Sequence, residues 1–330
     1  MSNEEYWKQR RLADMLAHEQ ITLEYEKLLE SVYELALLEI RKEIEAFFGK
    51  YAKDNKITYA EARKRLSSSE LKSFQALLKR WYAEASESNY SADYVIHLQE
   101  LGKRVYLSRL ENLEESIRFQ IERLKSHQYK MTTELLSTHY ITSYYDTAFE
   151  LSKSLGVVVN FATVDKAGVE AAIRTNWSPN NYSKNIWADR DKLINTLSKV
   201  IPQCFARGLG TEKTAQEIVK ELNVSKNRAR VLARTETNYV ANKATLDIYK
   251  ASGVEQYRYL ATLDMRTSEV CRSLDGTVIK VAHAQVGVNY PPMHPNCRST
   301  TTPYVPDENR IAVVRAARDE KGKTIYVPVN

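Results

Sequence analysis

The sequence has few of the residues that interrupt helices or cross-link chains. Its 330 residues include ten glycines, eight prolines and three cysteines. So few glycines and prolines favour long helices with short connections. Three cysteines, an odd number, argue against a disulfide framework and are typical of folding in a reducing cytoplasm. No run reaches the roughly 18 apolar residues that a membrane span needs, and the N-terminus lacks the basic and apolar regions of a secretory signal.

The composition is that of a globular protein, with 43% apolar and 27% charged residues, and the length suits two or three domains. The charge is unevenly distributed. Residues 1–156 hold 23 Lys and Arg against 25 Asp and Glu, whereas residues 157–330 hold 25 against 17. The basic excess of the second half is compatible with nucleic acid, with an acidic partner or with an ordinary solvated surface.

Helical periodicity dominates the first 250 residues. From Glu4 to about Lys53 an apolar stripe recurs at spacings of three and four, and we predict that it packs inward. The stripe consists of Ile21, Tyr25, Leu28, Val32 and Leu35, then Leu37, Ile40, Ile44, Phe47 and Tyr51. Further helices are predicted at 58–87, 91–126, 132–156, 165–176, 183–207, 211–222 and 225–251, with a short extended run at 157–164. Residues 1–156 are therefore predicted to form a long antiparallel helical bundle, and residues 157–253 a second helical region.

The pattern changes after Gly253. Residues 256–262 alternate polar and apolar side chains, which indicates a strand. Asp275-Gly276 predicts a tight turn into a second strand, and residues 298–304 can form a third. Residues 254–305 are thus predicted to be a small α+β module containing a β-hairpin, followed by a charged tail at 306–330. The fold class is mainly α, with this compact module near the C-terminus.

The segment from Asp264 to Pro303 concentrates the chemically versatile residues. It contains two of the three cysteines, two of the six histidines and four of the eight prolines. Cys271, His294 and Cys297 offer two thiolates and an imidazole to a zinc ion. His283, Asp264 or water would take the fourth position. The alternatives are a packed cysteine pair with a histidine bound to backbone, or a Cys271–Cys297 disulfide.

Enzymatic alternatives have weaker support. A zinc deaminase needs His-x-Glu, and His283-Ala-Gln285 lacks the glutamate. A Cys–His hydrolase would need Cys271 or Cys297 beside His294, with Asn296 as the orienting group. No Walker loop or Gly-x-Gly-x-x-Gly fingerprint is present. We therefore expect a protein that is not an enzyme; a zinc-dependent nuclease or transferase is the competing class.

Charged and aromatic residues on the predicted helices suggest surfaces or internal contacts. Lys226, Arg230 and Arg234 share one helix face, which could bind DNA phosphates or an acidic rim, or face solvent. Tyr140, Tyr144 and Tyr145 are neighbours on another helix and form either an interface or a half-buried face. Two polar pairs are expected to be structural: Asp264 with Arg266, and Arg234 with Glu236, which would tie the long helix to the small module.

The ordered motifs also carry a resemblance. They read Asp264-x-Arg266-x-Ser268, Cys271-x-x-Leu274-Asp275-Gly276 and Pro291-Pro292-x-His294-Pro295-Asn296-Cys297-Arg298, preceded by Ala233-Arg234-Thr235-Glu236-Thr237 with Asn242 and Ala244. Over roughly residues 200–305 the chain resembles the phage minor head proteins, the head-morphogenesis family typified by the F protein of phage Mu. Many members of that family carry Cys-x-x-Cys where this chain has Ser268-x-x-Cys271.

The resemblance implies a structural minor capsid protein of a tailed phage or prophage. Such a protein is assembled in the host cytoplasm and lies in the virion, in the capsid interior or at the portal vertex. Its implied partners are the portal protein and the major capsid or scaffold proteins, with phage DNA as a further candidate during packaging or ejection. A non-specific DNA-binding protein is the alternative within the binding class.

Overall fold

A computed structural model describes residues 3–155, 163–304, 314–318 and 324–328. The described part of the chain is 72% helical, with nine helices and a small three-stranded antiparallel sheet near the C-terminus. This confirms the predicted fold class. Within these residues, none of the helices combines the length and the apolar character needed to cross a membrane.

The helices are α1 (Asn3–Tyr51), α2 (Tyr59–Ala62), α3 (Ser68–Glu87), α4 (Ala92–Gly102), α5 (Arg109–Leu155), α6 (Lys166–Ile173), α7 (Tyr182–Ala206), α8 (Thr211–Ala251) and α9 (Glu269–Leu274). The strands are β1 (Gln256–Leu260), β2 (Val278–Lys280), β3 (Thr300–Tyr304), β4 (Val314–Arg318) and β5 (Thr324–Pro328).

Two helix breaks differ from those predicted from the sequence. The predicted helix 58–87 is interrupted between α2 and α3, because Ser67 and Glu70 form a reciprocal capping box that starts α3. The predicted break at 127–131 is absent, and α5 is continuous. The break lies instead between α4 and α5, where Ser108 and Glu111 exchange the same pair of hydrogen bonds.

The predicted break at 223–224 is also wrong, since α8 is a single helix. Ser225, the predicted start of a new helix, lies within α8. Its hydroxyl donates to Asp189 Oδ2 at 2.5 Å, so it is engaged by a tertiary partner rather than by a helix N-terminus. The end of α8 is as predicted: Gly253 has a φ of +69°, the left-handed conformation in which glycine ends helices.

The inward face of α1 differs in part from the predicted stripe. Its buried apolar residues are Trp7, Tyr25, Leu29, Tyr33, Ala36, Ile40, Ile44, Phe47 and Phe48. Leu28 and Leu35 belong to the predicted stripe, but they are 60% and 52% exposed. Each lies one residue, about 100° around the helix, from a buried neighbour. The periodicity is correct, but two of its members face solvent.

The chain divides into two compact units. The first comprises residues 1–24, 133–181 and 231–330, and the second comprises residues 25–132 and 182–230. The division falls within α1, α5 and α8, so each unit combines distant parts of the sequence. It therefore differs from the four contiguous segments expected from the sequence, which remain a prediction.

In the first unit, β1 is the central strand of the antiparallel sheet β2-β1-β3. Tyr257 pairs with Ile279 on one side and with Pro303 on the other. The three predicted strands are thus confirmed. Strands β4 and β5 form a separate antiparallel pair within the predicted charged tail. Most of the predicted extended run 157–164 lies outside the described residues.

The second unit contains a buried cation. The Lys125 side chain is fully buried, and its Nζ donates to Asp189 Oδ2 at 2.8 Å. It also donates to Tyr33 at 2.8 Å, to Gln128 at 2.9 Å and to Ser225 at 2.9 Å. Removing a charge from water is costly unless it is paired and hydrogen-bonded. This network meets both conditions and joins parts of the chain that are distant in sequence.

The first unit contains a buried histidine pair. The rings of His18 and His139 are stacked with their centroids 4.6 Å apart, and the two Nδ1 atoms face each other. Burial, reinforced by Arg11, lowers the pKa of His18 to about 4. Burial, reinforced by His18, lowers the pKa of His139 to about 3. One facing nitrogen must accept, so the geometry requires at least one neutral ring.

We predict that this pair makes the protein sensitive to acid. In the unfolded chain both rings titrate near 6.5. As the pH falls below that value, the unfolded state takes up protons that the folded state does not bind. The free energy of unfolding should therefore fall between pH 6.5 and about 3, by on the order of a few kcal/mol. Urea unfolding at a series of pH values measures this loss of stability.

The comparison that isolates the pair is the double variant His18→Gln, His139→Gln, which keeps polar side chains without titration. It should lose less stability than the wild type over this pH interval. The exposed His283 supplies the control, since His283→Gln should follow the wild-type curve. Parallel pH curves for the double variant and the wild type would show that the pair does not control the acid response.

Candidate functional site

The site is built around α9 and the loop that precedes β3. Ser268 caps α9, and its hydroxyl accepts the Cys271 backbone N–H at 3.2 Å. His294 and Cys297 lie in the loop, where the Cys297 N–H donates to the His294 carbonyl at 3.1 Å. Asn296 between them has a φ of +59°, a left-handed conformation that asparagine tolerates better than most residues. The loop therefore bends back so that both side chains meet Cys271.

Cys271, His294 and Cys297 form what we call the Cys–His cluster. Their ligand atoms all lie within 4.8 Å of one another. Cys271 Sγ is 3.3 Å from His294 Nε2 and 3.8 Å from Cys297 Sγ. Both thiols are buried, and both cysteines are free. The predicted proximity of the three residues is confirmed. Whether they bind a metal remains a prediction.

The orientation of His294 is determined by its backbone surroundings. Its Nδ1 lies 2.8 Å from the carbonyl oxygen of Pro295, which can only accept, so Nδ1 carries the proton. The lone pair of Nε2 is then directed at Cys271 and at the Ser268 hydroxyl, which is 2.9 Å away. The hydrolase alternative required Asn296 as the orienting group, but a carbonyl faces Nδ1 instead.

The two thiols of the cluster differ in acidity. Burial raises the pKa of both. At Cys271 burial is outweighed by hydrogen bonds, chiefly from Ser268, Ser299 and Tyr259, and the pKa is lowered to about 7. At Cys297 burial prevails, and the pKa is raised. Cys271 is therefore the thiol that more readily presents a thiolate.

Neither predicted protein candidate for a fourth ligand is part of the cluster. His283 is exposed, at the end of a 3-10 turn over Val281–His283. Asp264 Oδ1 accepts from Arg298 Nη2 at 2.6 Å, an ion pair that lowers the pKa of this carboxyl. Ser268, where many members of the resembling family have a cysteine, does reach the cluster, with its hydroxyl 2.9 Å from His294 Nε2, and the Tyr259 hydroxyl lies 3.4 Å from Cys271 Sγ.

Of the polar motif residues, the turn pair behaves as predicted. Gly276 has a φ of +76°, and its N–H donates to the Tyr259 carbonyl at 2.9 Å. The Asp275 carboxylate accepts the Ala261 N–H at 2.8 Å. The predicted Asp264–Arg266 pair is secondary: the side chains are 3.7 Å apart, although the Arg266 N–H donates to Asp264 at 2.8 Å.

The second predicted polar pair was Arg234 with Glu236, but the structure gives Glu236 a different partner. Glu236 Oε2 accepts from Trp177 Nε1 at 2.9 Å, and the Trp177 ring stacks on Tyr239. Burial raises the pKa of Glu236 to about 7. Glu236 thus holds the segment between α6 and α7, and not the small module. Arg234 is exposed.

The residues of α8 that hold the site are ones to which sequence reasoning assigned no role. Thr235 Oγ1 accepts the Asn296 N–H at 3.0 Å. Asn238 Nδ2 donates to the Ser299 carbonyl at 3.0 Å. Their spacing, continued by Asn242, places three polar side chains on one face of α8. That row of polar side chains is the sequence signal that could have indicated the contact between α8 and the loop.

Asn242 makes the largest number of these contacts. Its Nδ2 donates to the Ser299 carbonyl at 3.3 Å, and its Oδ1 accepts from Thr300 Oγ1 at 3.1 Å. Its own carbonyl accepts from the buried Tyr290 hydroxyl at 2.8 Å. Asn242 is only 2% exposed, so its amide has exchanged water for partners in the loop, in β3 and in α8, where Nδ2 donates to the Asn238 carbonyl at 2.9 Å.

The predicted basic row is largely ion-paired. Lys226 Nζ lies 2.5 Å from Glu30 Oε1, and Arg230 pairs with the other oxygen of Glu30. Arg228, off the row, pairs with Asp189. One carboxylate therefore offsets part of the charge of two bases. Contact between DNA and Lys226, Arg230 and Arg234 remains a prediction.

The tyrosine face is an internal feature. Tyr140 and Tyr144 are buried, and the Tyr140 hydroxyl donates to Asp247 at 2.9 Å. Tyr145 is half-buried. Of the two interpretations considered, the half-buried helix face is the one that the structure supports.

Comparison with known proteins agrees with the motifs. Residues 195–302 match the family model described as Phage Mu protein F like protein. Over 325 residues the chain is 28% identical to the minor head protein GP7 of Bacillus phage SPP1, covering 93% of this chain and 91% of that protein. An uncharacterized protein of Haemophilus influenzae is 22% identical over 122 residues, 37% of this chain and 27% of that protein. No solved structure matches.

These findings confirm the resemblance to phage minor head proteins. The matched range, residues 195–302, is similar to the Phage Mu protein F like family model. That range includes all of α8, strands β1 and β2, and the Cys–His cluster.

We predict that Asn242→Ala destabilises the module by about 1–3 kcal/mol, because it leaves the buried Thr300 hydroxyl without its acceptor. Urea unfolding measures the change. Asn223→Ala is the matched control, since Asn223 is exposed on the same helix and its loss should change stability little. Equal effects of the two variants would contradict the anchoring role of Asn242.

Proposed function

We propose that this protein is a structural component of a phage head, a minor capsid protein and not an enzyme. The observation that carries the proposal is the 28% identity to a minor head protein along 93% of the chain and 91% of the relative. Because the two proteins correspond over nearly their full lengths, the similarity concerns the whole architecture and not one shared domain. The ordered motifs from Asp264 to Arg298 support the same assignment.

The finer part of the proposal concerns location. The protein associates with the portal vertex, assists head assembly and takes part in DNA packaging or ejection, with portal, major capsid or scaffold proteins as its partners. This location follows from the resemblance. The structure contributes a surface that suits a protein partner: α1 exposes leucines to solvent in both units. They are Leu12, Leu16 and Leu23 in the first unit, and Leu28, Leu35 and Leu38 in the second.

The second set is the better candidate for docking on portal. Leu28, Leu35 and Leu38 are each more than half exposed, and helical spacing places them within about a quarter turn of one another. Scattered surface leucines are ordinary, but a row along one helix is typical of a surface that another protein covers. On this proposal the N-terminal region makes the contact through leucines and not through tyrosines.

We predict that replacing Leu28, Leu35 and Leu38 together with Gln weakens co-purification of the full chain with portal protein by at least about tenfold. Each leucine buried in an interface contributes about 1.5–3 kcal/mol. The thermal midpoint should barely change, because the side chains are exposed and Gln is a good helix former.

Matched substitutions at other exposed apolar helix positions supply the control. Ile96, Phe149 and Val231 are exposed on α4, α5 and α8, and their replacement by Gln should leave binding unchanged. If the leucine variant binds portal as the wild type does, portal docking does not use this face. If both variants lose binding, the effect is not specific to α1.

DNA binding is the second specific part of the proposed function. The basic balance of residues 157–330 motivates it, and the predicted row on α8 gives it a testable location. The group of Lys226, Arg230 and Glu30 carries one net positive charge. Glu30→Gln raises this to two, and Lys226→Ala with Arg230→Ala lowers it to minus one. These variants form a charge series on one surface.

If this row binds phosphates, the dependence of log K on log salt should steepen for Glu30→Gln and flatten for the double alanine variant. The slope of log K against log salt should change by about one unit for each phosphate contact that a variant gains or loses. Binding to a DNA duplex of random sequence at several salt concentrations measures the slopes. Identical slopes across the series would assign this face to solvent or to a protein partner.

A further inference from the structure

We propose that Cys271, His294 and Cys297 bind one structural zinc ion, with Ser268 or a water molecule at the fourth position. The inference goes beyond the role in the phage head and does not depend on it. It rests on how the side chains are spaced, oriented and buried in the first unit.

The spacing fits tetrahedral zinc. Zinc–sulfur bonds of about 2.3 Å and zinc–nitrogen bonds of about 2.0–2.1 Å put two thiolates about 3.8 Å apart, and a thiolate and an imidazole about 3.5 Å apart. Cys271 Sγ lies 3.8 Å from Cys297 Sγ and 3.3 Å from His294 Nε2. Two of the three ligand pairs therefore already lie close to the edges of a coordination tetrahedron, and the third pair, Cys297 and His294, lies within 4.8 Å. A disulfide would instead need the sulfur atoms about 2.05 Å apart.

The orientation also suits a metal. Ligating histidines usually donate their other ring N–H to a carbonyl or carboxylate, which fixes the tautomer and aims the lone pair. His294 does this through Nδ1 and the Pro295 carbonyl, 2.8 Å away. Thr235 holds the residue before Cys297, because its Oγ1 accepts the Asn296 N–H. The ligands are thus supported by their own loop and by α8.

The surroundings indicate a structural ion. Both cysteines are 3% exposed, and they pack with Tyr259 and Ala261 in a small apolar cluster that has Leu274 and Met293 at its edge. The buried apolar core next to the cluster is small, and bound zinc is one of the usual supplements to a small core. The burial of the thiols argues against a site that is open to substrate.

The fourth position can be tested by substitution. Ser268 Oγ lies 2.9 Å from His294 Nε2, which makes it the nearest candidate on α9's N-cap for a fourth ligand. A serine hydroxyl is a weak zinc ligand, whereas a thiolate is a strong one. Ser268→Cys would create a site with three thiolates and one imidazole, and it should hold zinc more tightly than the wild type.

The first experiment is elemental analysis of the full chain, purified from cells grown with added zinc. We expect one zinc ion per chain in the wild type, and loss of that ion in Cys271→Ser and in Cys297→Ser. The third cysteine provides the control. Cys204 is buried in α7, in the second unit, and Cys204→Ser should retain the zinc. Equal loss in all three variants would contradict the assignment.

The second experiment does not depend on the folding of the cysteine variants. Cobalt titrated into metal-stripped wild-type protein should give the charge-transfer absorption of thiolate-bound cobalt. Ser268→Cys should retain zinc against a competing chelator at least about tenfold better than the wild type. The proposal is overturned if the wild type holds no stoichiometric zinc and gains no cobalt absorption. The two thiols would then be a packed or oxidised pair.

Discussion

The loop that carries His294 and Cys297 depends on hydrogen bonds from one face of α8. Buried backbone carbonyls and N–H groups need partners, and a loop has no ladder to provide them. Thr235, Asn238 and Asn242 supply those partners from successive turns of a rigid helix. The Ser299 carbonyl alone accepts from two of them. The position of the Cys–His cluster is therefore set by α8 as much as by the cluster's own sequence.

Local signals in the sequence predicted the module well. Asp275-Gly276 forms its turn because only a residue without Cβ easily adopts a φ of +76°. The alternation after Gly253 indicated β1, and the crowding of Cys, His and Pro indicated the cluster. Helix ends were predicted less well where a polar side chain could either cap a helix or bind a tertiary partner. Ser225 could have capped a helix, but Asp189 engages its hydroxyl, and that partner is visible only in the folded chain.

Charges were the least predictable feature, because a side chain's partner is often distant in sequence. Lys226 and Arg230 form a basic row when α8 is considered alone, but Glu30 lies against both. Glu236 has a neighbouring arginine in the sequence, but its buried carboxylate binds Trp177. The exposed leucines of α1 show the same limit for apolar residues. A shift of one position around a helix separates core from surface, and periodicity alone does not resolve it.

Ser268 connects the architecture of the site with its chemistry. Its hydroxyl caps α9 by accepting the Cys271 N–H, and it also lies within hydrogen-bond distance of His294. One side chain thus caps the helix that presents Cys271 and also contacts His294, so on the zinc proposal it is the candidate fourth ligand. A catalytic zinc needs that position open to water and substrate. In the proposed zinc site both thiols are buried, so the arrangement favours holding the module together over turning over a substrate.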